Sequence, residues 1–144
     1  MNALELLKAD HEKVQQLFKK AEDANPERQR QLFEEIKEEL EIHAHIEETV
    51  FYPAVREADE LKDMVLESLE EHKQVKTLLR EMENLTSDSE KFEPKLKVLM
   101  ENVEHHVEEE ESEMLPEAET VLAEQAEELM DEMHEVKRQL LSRQ

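Results

Sequence analysis

The sequence contains no cysteine, no glycine and no tryptophan among its 144 residues, and it has only four prolines. Without cysteine the chain cannot form disulfides, iron–sulfur clusters or thiolate zinc sites, which leaves imidazole and carboxylate as its strong metal ligands. Strand-rich folds rely on glycine for tight turns. Its absence, together with abundant Glu, Leu, Lys and Gln, predicts an all-helical protein.

Long apolar runs and positive charge are also scarce. No window approaches the roughly 18 apolar residues of a transmembrane helix, and the N-terminal sequence MNALELLKADHEKV lacks the apolar core of a signal peptide. The 40 Asp and Glu residues outnumber the 18 Lys and Arg residues and give a formal net charge of −22. A surface of this sign repels nucleic-acid phosphates. These features predict a cytoplasmic protein that binds neither nucleic acid nor membrane.

Apolar residues recur at alternating steps of three and four, the spacing typical of a helical bundle. This spacing predicts four helices, with turns near Ala24, Ala58 and Ser87. A fifth apolar series runs from about Glu117 to Leu141 without a polar interruption. We therefore expect an up-down-up-down four-helix bundle over residues 1–118 and a C-terminal helix over 119–144. That helix would either cover the bundle or pair with a second copy to form a homodimer.

Polar residues enter the apolar series of all four bundle helices. With a rise of about 1.5 Å per residue, counting from the turns brings four histidines to one level of an antiparallel bundle. Two of these histidines are followed one turn later by a glutamate on the same helix face. The six residues are His11, His43, Glu47, His72, His106 and Glu110.

The two halves of the chain resemble each other. The segment DHEKVQQLF at 10–18 matches EHKQVKTLL at 71–79, and HAHIEETVFYP at 43–53 matches HVEEEESEMLP at 106–116. Duplication of a helix pair explains both matches. It also explains why each half carries one histidine and one HxxxE pair on its inward faces.

Two glutamates on inward faces indicate a metal. An isolated ionised carboxylate is strongly disfavoured in a core of low dielectric constant, and a cation removes that cost. The glutamates can bridge two metals while histidines from four helices act as terminal ligands, and mixed nitrogen and oxygen donors suit iron, manganese or zinc. The competing interpretation is a non-catalytic acidic interaction module whose histidines are incidental.

The order H, HxxxE, H, HxxxE over four helices, with FYP and MLP after the two HxxxE pairs, resembles the hemerythrin-like, or HHE cation-binding, domains. The resemblance covers about residues 3–118. It implies that the six residues bind two iron ions in a non-haem di-iron centre bridged by Glu47 and Glu110. It also implies that the centre binds or reacts with O₂, peroxide or nitric oxide, in sensing, storage or detoxification. Because such roles share the same ligands, enzymatic activity stays open.

One departure from the family pattern concerns the third helix. Oxygen-carrying members have a further histidine four residues after the third-helix histidine, and Lys76 stands at that position here. The resemblance therefore implies that one iron lacks a ligand, which argues against simple reversible oxygen carriage. Ferritin-like proteins use ExxH instead, and no histidine here has a glutamate three residues before it.

The remaining polar residues near these motifs are predicted to lie outside the ligand set. We expect surface positions for His45 and His134, and at most a flanking role for His105. Tyr52 is expected to pack in the core, although its phenol could donate a hydrogen bond near the pocket. A solvated acidic face is expected for Glu108, Glu109, Glu111 and Glu113, one of which could orient a ligand imidazole.

Overall fold

The computed structural model describes residues 3–86 and 88–142, and every regular element in this part of the chain is helical. Two of the helices continue through short π-helical segments into a further α-helix. In chain order the elements are α1 (Ala3–Glu22), α2 (Pro26–Ile46), the first π segment (Glu47–Phe51), α3 (Tyr52–Arg56), α4 (Asp59–Glu83), α5 (Phe92–Glu109), the second π segment (Glu110–Met114), α6 (Leu115–Val121) and α7 (Ala126–Ser142).

The predicted four-helix bundle is confirmed. Its first pair consists of α1 and the long helix that runs from α2 through the first π segment into α3, and its second pair consists of α4 and the helix that begins with α5. The turns predicted near Ala24 and Ala58 separate α1 from α2 and α3 from α4. Ser87, where the third turn is predicted, lies outside the described residues.

The start of α2 is fixed by local hydrogen bonding. Asn25 is extended, with φ −71° and ψ 167°, and its side chain accepts a hydrogen bond of 2.8 Å from the Arg28 backbone N–H. Pro26 occupies the first turn, where a missing N–H costs nothing. This cap fixes where α2 begins and therefore the position of His43 along the helix.

Each π segment begins at one of the two inward glutamates and ends two residues before a proline. The Tyr52 N–H bonds to the Glu47 carbonyl, and the Leu115 N–H bonds to the Glu110 carbonyl, both across five residues. A proline inside an α-helix lacks the donor for the carbonyl four residues earlier and clashes with it. A wider turn relieves the clash ahead of Pro53, and the same reasoning applies in the second half. Such π turns are common at functional sites.

The apolar core is divided into two clusters by the layer that holds the histidines. One cluster lies at the end of the bundle formed by the start of α1 and the end of α2, and it includes Leu7, Ile46, Phe51, Val65 and Met133. The other fills the opposite end and includes Phe18, Phe33, Ile36, Met82 and Phe92. The polar layer therefore has apolar side chains on both sides.

The predicted C-terminal helix is confirmed, but its predicted start near Glu117 was wrong. α6 ends at Val121, residues 122–125 form a turn, and α7 begins at Ala126. A straight helix from the start of α5 to residue 141 would be about 75 Å long, far beyond the bundle. The turn brings α7 back onto α1 and α2, where its apolar face covers the bundle with the buried side chains of Leu129, Met130 and Met133.

Candidate metal centre

The six predicted ligand residues come together in one layer across the bundle. The histidines project from four different helices, and each glutamate is the first residue of a π segment. All six side chains are buried: His11 on α1, His43 on α2, Glu47, His72 on α4, His106 on α5, and Glu110.

Glu47 lies between the histidines of both halves. Its Oε1 atom is 3.3 Å from His43 Nε2 and 3.2 Å from His72 Nε2. The Nε2 atom of His106 is 4.0 Å from the same oxygen. A carboxylate in this position can contact a cation on either side of it.

Glu110 occupies the equivalent position in the second half. Its Oε1 atom is 3.4 Å from His11 Nε2, and its Oε2 atom is 3.1 Å from His106 Nε2. The Tyr52 hydroxyl donates a hydrogen bond of 2.9 Å to Oε2. Glu110 thus also reaches imidazoles from both halves of the chain.

Three of the four carboxylate oxygens are buried without a hydrogen bond. Within residues 3–86 and 88–142, both oxygens of Glu47 and Oε1 of Glu110 have no partner in hydrogen-bonding geometry, despite the nearby imidazole nitrogens. Buried polar atoms are nearly always hydrogen bonded, and a buried ionised carboxylate without a partner is especially costly. The donor set fits a cation at this layer.

The donor atoms fall into two groups that share one carboxylate. Within each group the atoms lie no more than 4.8 Å apart. The first group consists of His11, His43, Glu47 and Glu110, and the second consists of Glu47, His72 and His106. Each of these two groups could hold a metal ion, and Glu47 is common to both.

Protonation of the imidazoles shows how strongly this layer attracts positive charge. Burial disfavours a charged imidazole at His43, but Glu47 and Asp10 outweigh it and raise the pKa of His43 to about 10. Burial is likewise outweighed at His106, where nearby carboxylates raise the pKa to about 12. Despite its burial, Glu47 has a pKa well below its usual range, chiefly because of the charge on His43. Without a metal, protons supply the charge that a cation would bring.

A second ring of four carboxylates holds the outer nitrogens of the histidines. Because an ionised carboxylate only accepts hydrogen bonds, each imidazole carries a proton on Nδ1 and directs Nε2 to the centre of the layer. The pairs are His11 with Glu111 at 2.7 Å, His43 with Asp10 at 3.2 Å, His72 with Glu48 at 2.9 Å and His106 with Glu71 at 2.8 Å.

One member of this outer ring was anticipated, because one of Glu108, Glu109, Glu111 and Glu113 was expected to be able to orient a ligand imidazole, and Glu111 does so at His11. The roles of Asp10, Glu48 and Glu71 were not predicted. A signal was present in the duplication, because an acid directly precedes the first histidine of each half and directly follows the glutamate of each HxxxE pair. Glu108 and Glu113 are exposed as predicted.

Tyr52 packs in the core as predicted, but it also contacts the candidate ligands. Besides its bond to Glu110, the hydroxyl oxygen lies 3.3 Å from His72 Nε2 and 3.4 Å from His106 Nε2. Burial and the charges of Glu47 and Glu110 raise the pKa of Tyr52 well above its usual value. The phenol is therefore neutral and serves as a hydrogen-bond donor inside the layer.

Lys76, which replaces the extra histidine of oxygen carriers, does not enter the layer. Its Nζ atom lies 2.9 Å from both carboxylate oxygens of Glu48, and its side chain is 46% exposed. His105 also lies outside, paired with Glu109 at 3.1 Å, and His45 and His134 are exposed as predicted. Lys76 thus places a positively charged ammonium group beside Glu48 of the outer ring and does not supply a metal ligand.

A small cavity adjoins the imidazoles on the side of the second apolar cluster. It has a volume of about 50 Å³, room for a few water-sized molecules. All four candidate ligand histidines line it, and most of the remaining wall is apolar, with Val14, Leu40, Val75, Leu79, Val103 and Val107. The layer therefore has an apolar space beside its nitrogen donors.

Several known proteins resemble this chain in sequence or in structure. A crystal structure of a hemerythrin HHE cation binding domain-containing protein from Mycobacterium kansasii superposes with a TM-score of 0.83 at 30% identity, covering 97% of this chain and 87% of that one. An uncharacterized protein of Mycobacterium tuberculosis is 32% identical over 118 residues, 81% of this chain and 71% of its own length. A DNA nickase of Nostoc is 32% identical over 113 residues, 78% of this chain, but the chain spans only 32% of that enzyme.

The sequence model of the hemerythrin HHE cation binding domain matches residues 2–118, which include the whole histidine and glutamate layer. The chain therefore belongs to the hemerythrin HHE cation binding domain family.

Proposed function

We propose that this protein holds a non-haem di-iron centre that binds or reacts with O₂ or a related small molecule such as peroxide or nitric oxide. The observation that carries the proposal is the pair of buried glutamates with three unpartnered oxygens facing four Nε2 atoms. The residues that would hold the two ions are His11, His43, Glu47, His72, His106 and Glu110.

The donor set favours two ions of a first-row transition metal. The two groups of donors share Glu47, so one carboxylate can serve both positions. Imidazole and carboxylate together suit iron, manganese and zinc, and the family resemblance favours iron. Bound iron would supply redox chemistry, and the second group, with three donor residues against four in the first, would leave more room for a small ligand.

The surrounding side chains fit a small uncharged ligand. The cavity beside the imidazoles is apolar and holds only a few small molecules. Tyr52 belongs to the first apolar cluster, across the layer from the cavity, and its neutral phenol lies within 3.4 Å of two imidazole nitrogens, so it can donate a hydrogen bond within the layer. The carboxylates outside the histidines keep Nε2 free for coordination.

Mixing the anaerobically reduced, iron-loaded protein with O₂ tests this proposal. We expect rapid oxidation rather than a long-lived reversible adduct, because Lys76 leaves one ion short of a ligand. Near-ultraviolet charge-transfer absorption should follow the reaction and should be absent from a His43→Ala variant. A His134→Ala variant, which changes an exposed histidine, is the matched control. Absence of any reaction of the iron-loaded protein with O₂, peroxide or nitric oxide would contradict the proposal.

Two other assignments compete with this function. The layer could hold zinc or manganese, or the chain could be an acidic interaction module without metal. Metal analysis separates these from the di-iron proposal. The nickase activity belongs to a relative three times as long as the matched segment, and the charge of −22 opposes a nucleic-acid substrate.

Location and assembly stay predictions from the sequence. Across the part of the chain that the structure describes, no helix has the length and apolarity needed to cross a membrane. We propose a cytoplasmic location on the basis of the sequence alone. Of the two predicted roles of the C-terminal helix, packing on the bundle is favoured over pairing in a homodimer. α7 already buries Leu129, Met130 and Met133 against its own bundle.

A further inference from the structure

α7 brings a lysine to the edge of the polar layer. Lys137 follows Met133 by four residues and therefore shares its helix face. Met133 is completely buried in the first apolar cluster, between α7 and the bundle. This packing directs Lys137 toward α1, where its Nζ atom lies 3.3 Å from Asp10 Oδ1.

Asp10 uses both of its oxygens and so links Lys137 to a candidate metal ligand. Its Oδ2 atom accepts a hydrogen bond of 3.2 Å from His43 Nδ1, while Oδ1 accepts the bond from Lys137. The side chain of Asp10 is only 10% exposed and that of Lys137 is 28% exposed, so solvent screens this pair less than a surface ion pair. A continuous contact therefore runs from α7 through α1 to the imidazole on α2.

We propose that Lys137 acts through Asp10 to weaken electron donation by His43, so that α7 tunes the metal position that His43 serves. This inference rests on the proposed di-iron function. A carboxylate that accepts from Nδ1–H makes an imidazole a stronger donor to a metal. A cation on the other carboxylate oxygen draws charge away from that bond and favours the reduced metal. Lys137 does not touch a ligand position and is a positioning residue.

The duplicated half has no counterpart to this contact. Glu71 corresponds to Asp10 and accepts from His106 Nδ1 at 2.8 Å. Within residues 3–86 and 88–142 no lysine or arginine pairs with Glu71, whose second neighbour is His105 Nε2 at 4.0 Å. Lys137 also lies beyond residues 2–118, the segment that matches the family domain. α7 thus distinguishes His43 from His106, because only the carboxylate that holds His43 also pairs with a lysine.

The test compares Lys137→Met with a neighbouring variant that removes the same charge. Arg138→Met is the matched control, since Arg138 is 76% exposed and pairs with Glu135 on its own helix. Two quantities are measured: the chemical shift of the His43 Nδ1 proton in the metal-free protein, and the midpoint potentials of the iron-loaded protein. Lys137→Met should move the proton to lower field and lower one of the potentials. Lys137→Arg should restore both values, and Arg138→Met should change neither.

An Asp10→Asn background shows whether the effect passes through the carboxylate. In that background Lys137→Met should have no further effect on either measurement. Equal shifts for Lys137→Met and Arg138→Met, or a Lys137→Met effect that persists without the Asp10 charge, would overturn the proposal. If the wild-type protein takes up no iron, the di-iron function fails, whereas the proton shift in metal-free protein still decides whether Lys137 acts on His43.

Discussion

Single residues in the layer meet opposing requirements of burial and charge. Glu47 and Glu110 are 0% and 2% exposed, although they are carboxylates, and four imidazoles surround them. The outer carboxylates fix the orientation of each imidazole, and Lys76 and Lys137 balance the charge of two of them. Each inward polar atom therefore either has a fixed partner or faces the position proposed for a metal.

Removal of the Tyr52 hydroxyl should destabilise the protein without changing its fold. Tyr52→Phe keeps the buried ring but removes the donor to Glu110 Oε2. A hydrogen bond to a charged acceptor contributes about 2 kcal/mol, and the oxygen left behind stays buried. We expect the free energy of unfolding of the metal-free protein, measured by urea titration, to fall by about this amount.

The control for this measurement is Thr77→Val, which also removes a hydroxyl. Thr77 is exposed and bonds only to the Lys73 carbonyl on its own helix. Its substitution should change the free energy of unfolding by less than about 0.5 kcal/mol. Equal effects of the two substitutions would mean that the Tyr52 hydroxyl does not stabilise the layer.

The helical elements place the glutamates by means of the two π segments. Tyr52 N–H bonds to the carbonyl of Glu47, so the segment holds one residue more per turn than an α-helix. Replacement by an α-helical turn would rotate Glu47 by about 100° relative to the core side chains that follow it. The proline after each segment therefore helps to keep a glutamate in the layer.

Substitution of Pro53 tests this role. Pro53→Ala supplies an N–H that can bond to the Thr49 carbonyl and so favours a regular α-helical turn. We expect iron to be lost to a chelator about tenfold faster, the effect typical of a ligand that loses its orientation. Pro94→Ala is the control, because Pro94 lies in the first turn of α5. An N–H at that position would have no helical carbonyl four residues earlier to bond to. Equal rates for both variants would show that the proline does not hold the ligand in place.

The helices and the inward histidines were predictable from sequence because they follow a regular spacing. The features that depart from this spacing were not predictable. The apolar series and the HxxxE pairs follow α-helical periodicity, so they predicted the layer correctly. The π segments and the turn at 122–125 depend on proline clashes and on the length of the bundle, which a periodic count ignores. Asp10, Glu48 and Glu71 were missed because a charged side chain next to a ligand looks like one more acid on an acidic surface.

At the scale of the whole molecule, the polar layer divides the apolar core into two clusters, one on each side of it. α7 completes the first cluster with Met133 and adds a positive charge beside Asp10. The net charge of the chain is −22, and cations bound in the layer would offset the charge of the buried Glu47 and Glu110. The molecule therefore buries a layer of carboxylates and imidazoles that is suited to cations inside an acidic helical bundle.

The iron content of the purified wild-type protein, measured by elemental analysis after expression in iron-containing medium, tests the central claim most directly. We predict two iron ions per chain, because two groups of donors share Glu47. The number should fall sharply in a Glu47→Gln/Glu110→Gln double variant but stay at two in a Glu108→Gln/Glu113→Gln control, which changes exposed glutamates. A folded wild-type protein without metal, or with zinc or manganese in place of iron, would contradict the account.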